Sequence, residues 1–479
     1  MVHNKNFRMG SLFIALAISV FTSCDKNTTE ESVKFSVSPD SVVFDALGET
    51  KQFKVTASSN WSLTNPADWV EASQSTGNGS TTIDFTALEN VETESRRSVV
   101  TFTLQNEIKE VVLIQSPKDT LNGFKFDVEP DQTGMRLISM EQLASEMKSG
   151  WNLGNTLEAI GGETAWGNPL TTKRLIDSVK AAGFNMVRIP VAWSVFSDET
   201  YYIIEESWLN RVEEVVNYVL DNDMYAMINI HWDNGWMQPT YEQQDYVNDR
   251  LERMWKQIAT HFRDYGDHLL FAGTNEVMKE GDYGTPTKEY YTVQNSFNQT
   301  FITTARKTGG KNVFRYLVVQ GFNTNIDHAV NFAQLPEDVV KDRMLMEVHY
   351  YDPYNFALNE NSNISQWGSI ATDPTLTETW ANESYVDNQF DKMKTKFIDK
   401  GIGVILGEYG AIARTNIEGH EVFRKYYLEY ITQSAVNSGL TPVYWDNGYT
   451  GNHAFGLFDR ATGAQAYPEL IEVIVKPFK

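Results

Sequence analysis

The stretches His268-Leu-Leu-Phe-Ala-Gly-Thr-Asn-Glu276 and Gly403-Val-Ile-Leu-Gly-Glu408 each run largely apolar and then stop on a glutamate. Short apolar runs that do not alternate with polar residues suit strands buried on both faces of a parallel sheet. Working outward, the same kind of run recurs at 150–152, 186–190, 225–231, 316–320, 344–349 and 442–445. Helical patterns lie between the runs, at 172–182, 209–222, 249–265, 291–308 and 422–437. Eight such units over about 350 residues predict an α/β fold of the (β/α)8 TIM-barrel type with enlarged loops. A doubly wound sheet shares the alternation but leaves unexplained why polar residues cap so many strands.

In a barrel the C-terminal strand ends form the active site, which puts Glu276 after strand four and Glu408 after strand seven. Two carboxyls about 5 Å apart suit a retaining glycosidase, in which one protonates the leaving oxygen and the other attacks the sugar. A glutamate ending a buried run is expected in low-dielectric surroundings that raise its pKa. The chain carries 63 acidic residues, however, so spacing alone leaves ordinary solvated carboxylates as an equal reading. Other strand ends carry Arg188, His231, Asn275, His349, Tyr351 and Trp445. An isolated histidine more often serves structure, and Arg188 alone is equally a buried ion-pair partner. There is no His-Glu-x-x-His pattern and one cysteine only, so no catalytic metal or other cofactor is expected.

A net charge of −23 disfavours nucleic acid as a partner, while 41% hydrophobic residues are ample for buried cores. At the N-terminus, Lys5 and Arg8 precede an apolar stretch from Leu12 to Phe21 that is too short to span a membrane, the pattern of an export signal. The sole cysteine, Cys24, follows at once. From Val33 to Pro117, period-two alternation is broken at short intervals by Ser, Asn, Gly and Asp, which predicts a small all-β, immunoglobulin-like sandwich. Trp61 and Trp69 invite a sugar-stacking role, but a Trp in a small sandwich is more often core. Residues 118–133 are polar and aperiodic, as in a linker, and the barrel is expected over 134–479.

Several motifs carry resemblances. Phe21-Thr-Ser-Cys24 resembles a bacterial lipobox, which implies a signal peptide over 1–23, an acylated Cys24, a tether over 24–32 and an outer-membrane, cell-surface lipoprotein, with simple secretion as the alternative. Ser59-Asn-Trp61-Ser-Leu, Asp68-Trp69-Val, Gly77-Asn-Gly and Ile114-Gln-Ser resemble the BACON domain. Gly150-Trp-Asn-Leu-Gly-Asn-Thr156, Val187-Arg-Ile-Pro, Asn229-Ile-His, Thr274-Asn-Glu, Val348-His-Tyr-Tyr, Leu406-Gly-Glu-Tyr and Tyr444-Trp look like glycoside hydrolase family 5, in order and without departure at a catalytic position. The stretch from Glu158 to Pro169 is further similar to subfamily 4, whose members cleave β-1,4-glucans.

The resemblance implies Glu276 as acid/base and Glu408 as nucleophile. Asn275 would meet the substrate 2-OH, Arg188 and Tyr351 would keep Glu408 ionised, and His349 would tune Glu276. His231, Asn155, Trp166 and Trp445 would bind sugar, with Trp193, Trp232, Trp236, Tyr354 and Trp367 divided between core and further glucosyl units. The implied substrate is xyloglucan, cellulose-like chains or mixed-linkage glucan, cut by a monomeric enzyme. A mannanase or xylanase on the same machinery and a non-catalytic glycan-binding protein are the alternatives.

Overall fold

The computed structural model describes residues 34–478, apart from 47, 93, 94, 117–125 and 127. The export signal, the tether, Cys24 and most of the expected linker lie outside the described residues. The chain divides into two compact units, Met1–Thr120 and Leu121–Lys479.

Among the described residues, nine strands build the first unit: β1 (Phe35–Ser38), β2 (Ser41–Phe44), β3 (Thr50–Ala57), β4 (Asn60–Thr64), β5 (Val70–Ala72), β6 (Thr76–Asn78), β7 (Thr81–Ala87), β8 (Arg96–Leu104) and β9 (Glu107–Gln115). They form one sheet of order β1-β3-β7-β5 and one of order β2-β9-β8-β4-β6. Alternation does what it predicts: Phe53, Val55, Ile83 and Phe85 from one sheet and Val100, Phe102, Val111 and Leu113 from the other are fully buried. Trp61 and Trp69 belong to this core, 3% and 7% exposed. The Trp61 ring lies where a Cβ on residue 77 would be, so Gly77 is required there.

The second unit is a closed parallel barrel of β10 (Gly150–Asn152), β11 (Met186–Ile189), β12 (Tyr225–Asn229), β13 (Leu269–Ala272), β14 (Leu317–Gln320), β15 (Met344–Tyr350), β16 (Gly403–Tyr409) and β17 (Leu440–Tyr444). All eight strands fall on the apolar runs. Five helices fall on the expected patterns: α2 (Lys173–Ala182), α3 (Glu206–Leu220), α4 (Gln244–His261), α5 (Lys288–Lys307) and α9 (His420–Asn437). The other α-helices among the described residues are α1 (Met140–Met147), α6 (Ile326–Phe332), α7 (Tyr354–Ala357), α8 (Glu383–Lys396) and α10 (Pro468–Val475).

Strand parity sorts the barrel residues. Val187, Ile228, Phe271, Val319 and Met346 face outward into the large core shared with the helices, whereas Met186, Met227, Leu270, Val318, Leu345 and Ile405 pack inside. Leu143 and Met147 of α1 join that inner cluster and close its N-terminal end. Two residues further along the same inward faces stand Arg188, Asn229, Gln320 and Glu347, all fully buried. The barrel is therefore apolar at its base and charged at its mouth.

The last residues of the expected linker are described. The Val128 carbonyl accepts from Gly310 and the Asp131 N–H donates to the Gly310 carbonyl, so 128–131 already belong to the barrel unit.

Candidate active site

β16 aims Glu408. Its pairing with β15 shifts after Val348, so that Leu406 faces Val348 but Glu408, not Gly407, faces His349. Gly407 is the extra residue, and this bulge turns Glu408 into the barrel mouth. A Cβ on Gly407 would overlap the Glu347 carboxylate, so only glycine fits. Glu408 is 5% exposed. One of its oxygens accepts from Arg188 at 2.9 Å and the other from the Tyr351 hydroxyl at 3.0 Å. Burial pushes its carboxyl up from the ordinary value, against the pull of the neighbouring His349 and Arg188 cations.

Glu276 is placed differently. It stands four residues beyond β13 on an open loop, and its side chain is 38% exposed. This corrects the expectation of low-dielectric surroundings: the apolar run ends at Ala272, and the chain leaves the barrel wall before the glutamate. What fixes the carboxylate is His349, whose Nδ1 lies 2.6 Å from its Oε1. Burial alone would keep that imidazole neutral, but Glu408, Glu276 and Glu347 outweigh it and raise the ring to about 9. One oxygen from each of Glu276 and Glu408 and one nitrogen of His349 lie within 4.8 Å of one another. By distance these atoms could surround an ion. The imidazole set between these carboxylates also suits proton transfer.

The other expected residues gather here too. Arg188 donates to the side-chain oxygens of Asn275 at 2.6 Å and Asn152 at 2.9 Å, besides Glu408. Held from its oxygen side, Asn275 can present its NH2 group outward. Burial and the cations Arg188 and His349 push His231 well below its usual range, so it is a neutral ring. It lies parallel to Trp445, with 5.9 Å between ring centroids and 5° between planes. Gly154 lets Trp445 settle, since a Cβ there would come within 2.9 Å of the indole. Asn155 has a left-handed φ of 54°, and its N–H donates to Glu158. Trp166 is 38% exposed on the same loop.

The remaining aromatics sort themselves. Trp193 and Trp367 are buried, with their indole N–H groups on the carbonyls of Asn229 and Ala381, and belong to the core. Trp236 is partly covered by Arg250, 4.5 Å over its ring. Trp232 and Tyr354 are exposed. Trp232 lines a cavity of about 260 Å³ with His231, Asn234, Gln238, Asn275 and Glu276. The turn that presents it hangs on buried Asp233, which accepts from Ser194 and the Trp236 indole. A roomier groove of about 1160 Å³ lies at the opposite end, lined by Met140 and Leu440 among others, away from these charges.

Sequence reading missed Glu347, which sits inside its apolar run instead of ending it, and Gln320, which ends its run but was given no role. A signal was available: Glu347 shares a strand face with His349, two residues on. A buried arginine with three donor groups also calls for more than one carboxylate.

The description Cellulase (glycosyl hydrolase family 5) fits residues 152–451, and the BACON family of N-terminal binding domains fits 48–116. Over 484 residues the chain is 37% identical to a xyloglucan-specific endo-β-1,4-glucanase of Bacteroides ovatus, covering 97% of this chain and 95% of that one. A solved structure of a Bacteroides ovatus family 5 xyloglucanase in complex with a XXXG heptasaccharide superposes with a TM-score of 0.71 at 37% identity, covering 93% of this chain and 100% of that one. A broad-specificity endoglucanase of subfamily 4 from Bacteroides salanitronis gives 0.68 at 39% identity, over 74% of this chain and 98% of that one.

Proposed function

The chain belongs to glycoside hydrolase family 5, and from that premise we propose that it is a retaining endo-β-1,4-glucanase that cuts xyloglucan or related β-glucans by double displacement. The observation that carries the reading is the approach of Glu276, His349 and Glu408 to within 4.8 Å, the close spacing that a covalent intermediate needs. Glu408 attacks the anomeric carbon while Glu276 protonates the departing oxygen, and Glu276 then takes the proton of the water that releases the sugar. Tyr351 and Arg188 hold the nucleophile ionised through their hydrogen bonds to its two oxygens. Asn275 meets the 2-OH. His231 and Asn155 meet sugar hydroxyls, and Trp445 and Trp166 offer apolar faces to the rings. Trp232 offers a further platform on the Glu276 side, where the leaving group must lie.

Xyloglucan is favoured among β-glucans because the relative matched over nearly the whole chain is xyloglucan-specific. Product analysis on xyloglucan, mixed-linkage glucan, carboxymethyl cellulose, glucomannan and xylan tests this; a preference for xylan or mannan over every β-1,4-glucan would overturn it. The enzyme acts outside the cell, at the surface, as a monomeric lipoprotein acylated on Cys24. Labelled fatty acid should enter the native protein and not Cys24→Ala. The sandwich acts as a spacer, a reading supported by the burial of both its tryptophans.

A further inference from the structure

One carboxylate contacts the partners of both glutamates. Glu347 is fully buried on β15, and its Oε1 lies 2.8 Å from Arg188 Nε and 3.4 Å from His349 Nε2. The contact with Arg188 is an ion pair by distance, although that N–H misses the hydrogen-bonding angle. The other oxygen accepts from the Gln320 amide at 2.7 Å. Gln320 in turn accepts from the N–H and hydroxyl of Thr274, each at 3.0 Å. From Glu347, one contact away, lie the cation that holds Glu408 and Asn275, the imidazole that holds Glu276, and the amide that fixes the loop carrying Asn275 and Glu276.

We propose that Glu347 is a positioning residue of the reaction, which keeps His349 charged and hydrogen-bonded to Glu276 and keeps Arg188 directed at Glu408. An arginine needing only a counterion already has Glu408. A second carboxylate that shares one oxygen between Arg188 and His349, at the cost of a glycine beneath it, does more than neutralise Arg188. The groups facing His349 are Glu276 beyond β13, Glu347 on its own strand, Glu408 on β16, and the cation Arg188 on β11 with the neutral His231 beyond β12. Glu347 is itself held to about 2, because Arg188, His349 and Gln320 overcome its burial, so its charge persists across the working pH range.

The proton destined for the leaving oxygen then rests on His349 Nδ1. As the sugar displaces water from Glu276, that proton passes to the Glu276 carboxyl and on to the glycosidic oxygen, while Glu408 forms the new bond to the anomeric carbon. In the second half, water attacks that carbon, Glu408 departs, and the water's proton returns through Glu276 to His349. No other reactant is required.

The inference rests on the proposed retaining reaction, so its test has one arm that needs no substrate. With imidazole-¹⁵N histidine, His349 in the resting wild-type enzyme should titrate near 9. In Glu347→Gln it should titrate roughly 1 to 2 pH units lower, since an opposite charge at this range shifts a pKa by about that much. The alkaline limb of kcat/KM on a cello-oligosaccharide, whose leaving alcohol needs the proton, should move down in step, with kcat reduced and KM within about twofold, as befits a group whose effect is on the chemical step. Glu347→Asp, which keeps the charge at shorter reach, should recover part of the shift. An unmoved titration and limb in a folded Glu347→Gln would reduce Glu347 to packing. Should both variants fail to fold, a wild-type His349 titrating near 6.5 would overturn the proposal by itself. Failure of the functional reading would look different: no β-glucan hydrolysed by the wild type, whatever His349 does.

Discussion

The sandwich buries all seven of its described aromatic rings, from Phe35 to Phe102, whereas the barrel leaves Trp166, Trp232, Tyr283, Tyr354, Trp380 and Tyr449 exposed on the connections that follow its strands. Both units contain enough aromatic surface to stack on sugars. They differ in where the surface points. A unit of nine short strands has only the space between its sheets for a core and consumes its large side chains there. The barrel has a separate core between strands and helices, so its C-terminal rim is free to carry rings that stay exposed. Charge divides the same way: Arg188, Glu347, His349 and Glu408 meet in one buried cluster in the barrel.

The sharpest way to break this contrast is to remove the two glutamates. Glu408→Ala should lower kcat on soluble β-glucan by ~10⁴-fold or more, because the covalent step is lost. Glu276→Ala should cost ~10²–10⁴-fold on polysaccharide but much less on an activated aryl glycoside, whose leaving group needs no proton. Added azide then separates the roles. Glu276→Ala should yield the β-glycosyl azide through the intermediate on Glu408, and Glu408→Ala the α-azide by direct attack. The opposite pairing would exchange the assignments.

In the sandwich the largest effect belongs to Trp61. Trp61→Ala should destabilise that unit by about 3–5 kcal/mol through the void left between its sheets. Turnover on soluble glucan should not change. A fall in kcat in step with the sandwich's melting would mean that the two units do not act separately.

A smaller effect concerns pH. His349 is raised to about 9 in the folded barrel, against an ordinary 6.5, so its stabilisation is complete below pH 6.5 and is lost as pH rises to 9. Glu347 is depressed to about 2 from 4.5, and its contribution is lost only as pH falls from 4.5 to 2. Residues 34–116 contain no histidine. Between pH 6.5 and 9 the barrel's melting temperature should therefore drop by about 2–5 °C, while the sandwich transition stays level in the same calorimetric scan. Equal movement of both transitions would remove His349 as the cause. The smallest effect is expected from deleting Glu31 to Pro117, which should leave soluble-glucan hydrolysis within about twofold of the full chain if the sandwich is a spacer.

Much of the barrel was legible because each strand is buried on both faces, which writes it as an uninterrupted apolar run with a polar residue at its end. His231, His349, Glu408 and Trp445 could be found from that punctuation, and Arg188 from the charge it puts inside an apolar run. Short elements were harder. Residues 70–72 and 76–78 are too brief to show a period, and helix 383–396 lay beyond a loop whose Asn, Ser and Trp hid its start. Trp193 and Trp367 resembled platform residues by their neighbours, yet their N–H groups are spent on backbone carbonyls inside the core.

The sequence by itself determined eight parallel strands, an all-β unit before them, and two glutamates on one barrel face, because periodicity and strand-end polarity are local properties. Only closure of the barrel decided that the inward faces of β11, β14, β15 and β16 converge. That convergence joins Arg188, Gln320, Glu347 and Glu408, which lie as far as 220 residues apart. The exposure of Glu276 and the turn of Glu408 past Gly407 were likewise settled in three dimensions. A charge's environment is set by what folds against it, and no window of sequence contains those neighbours.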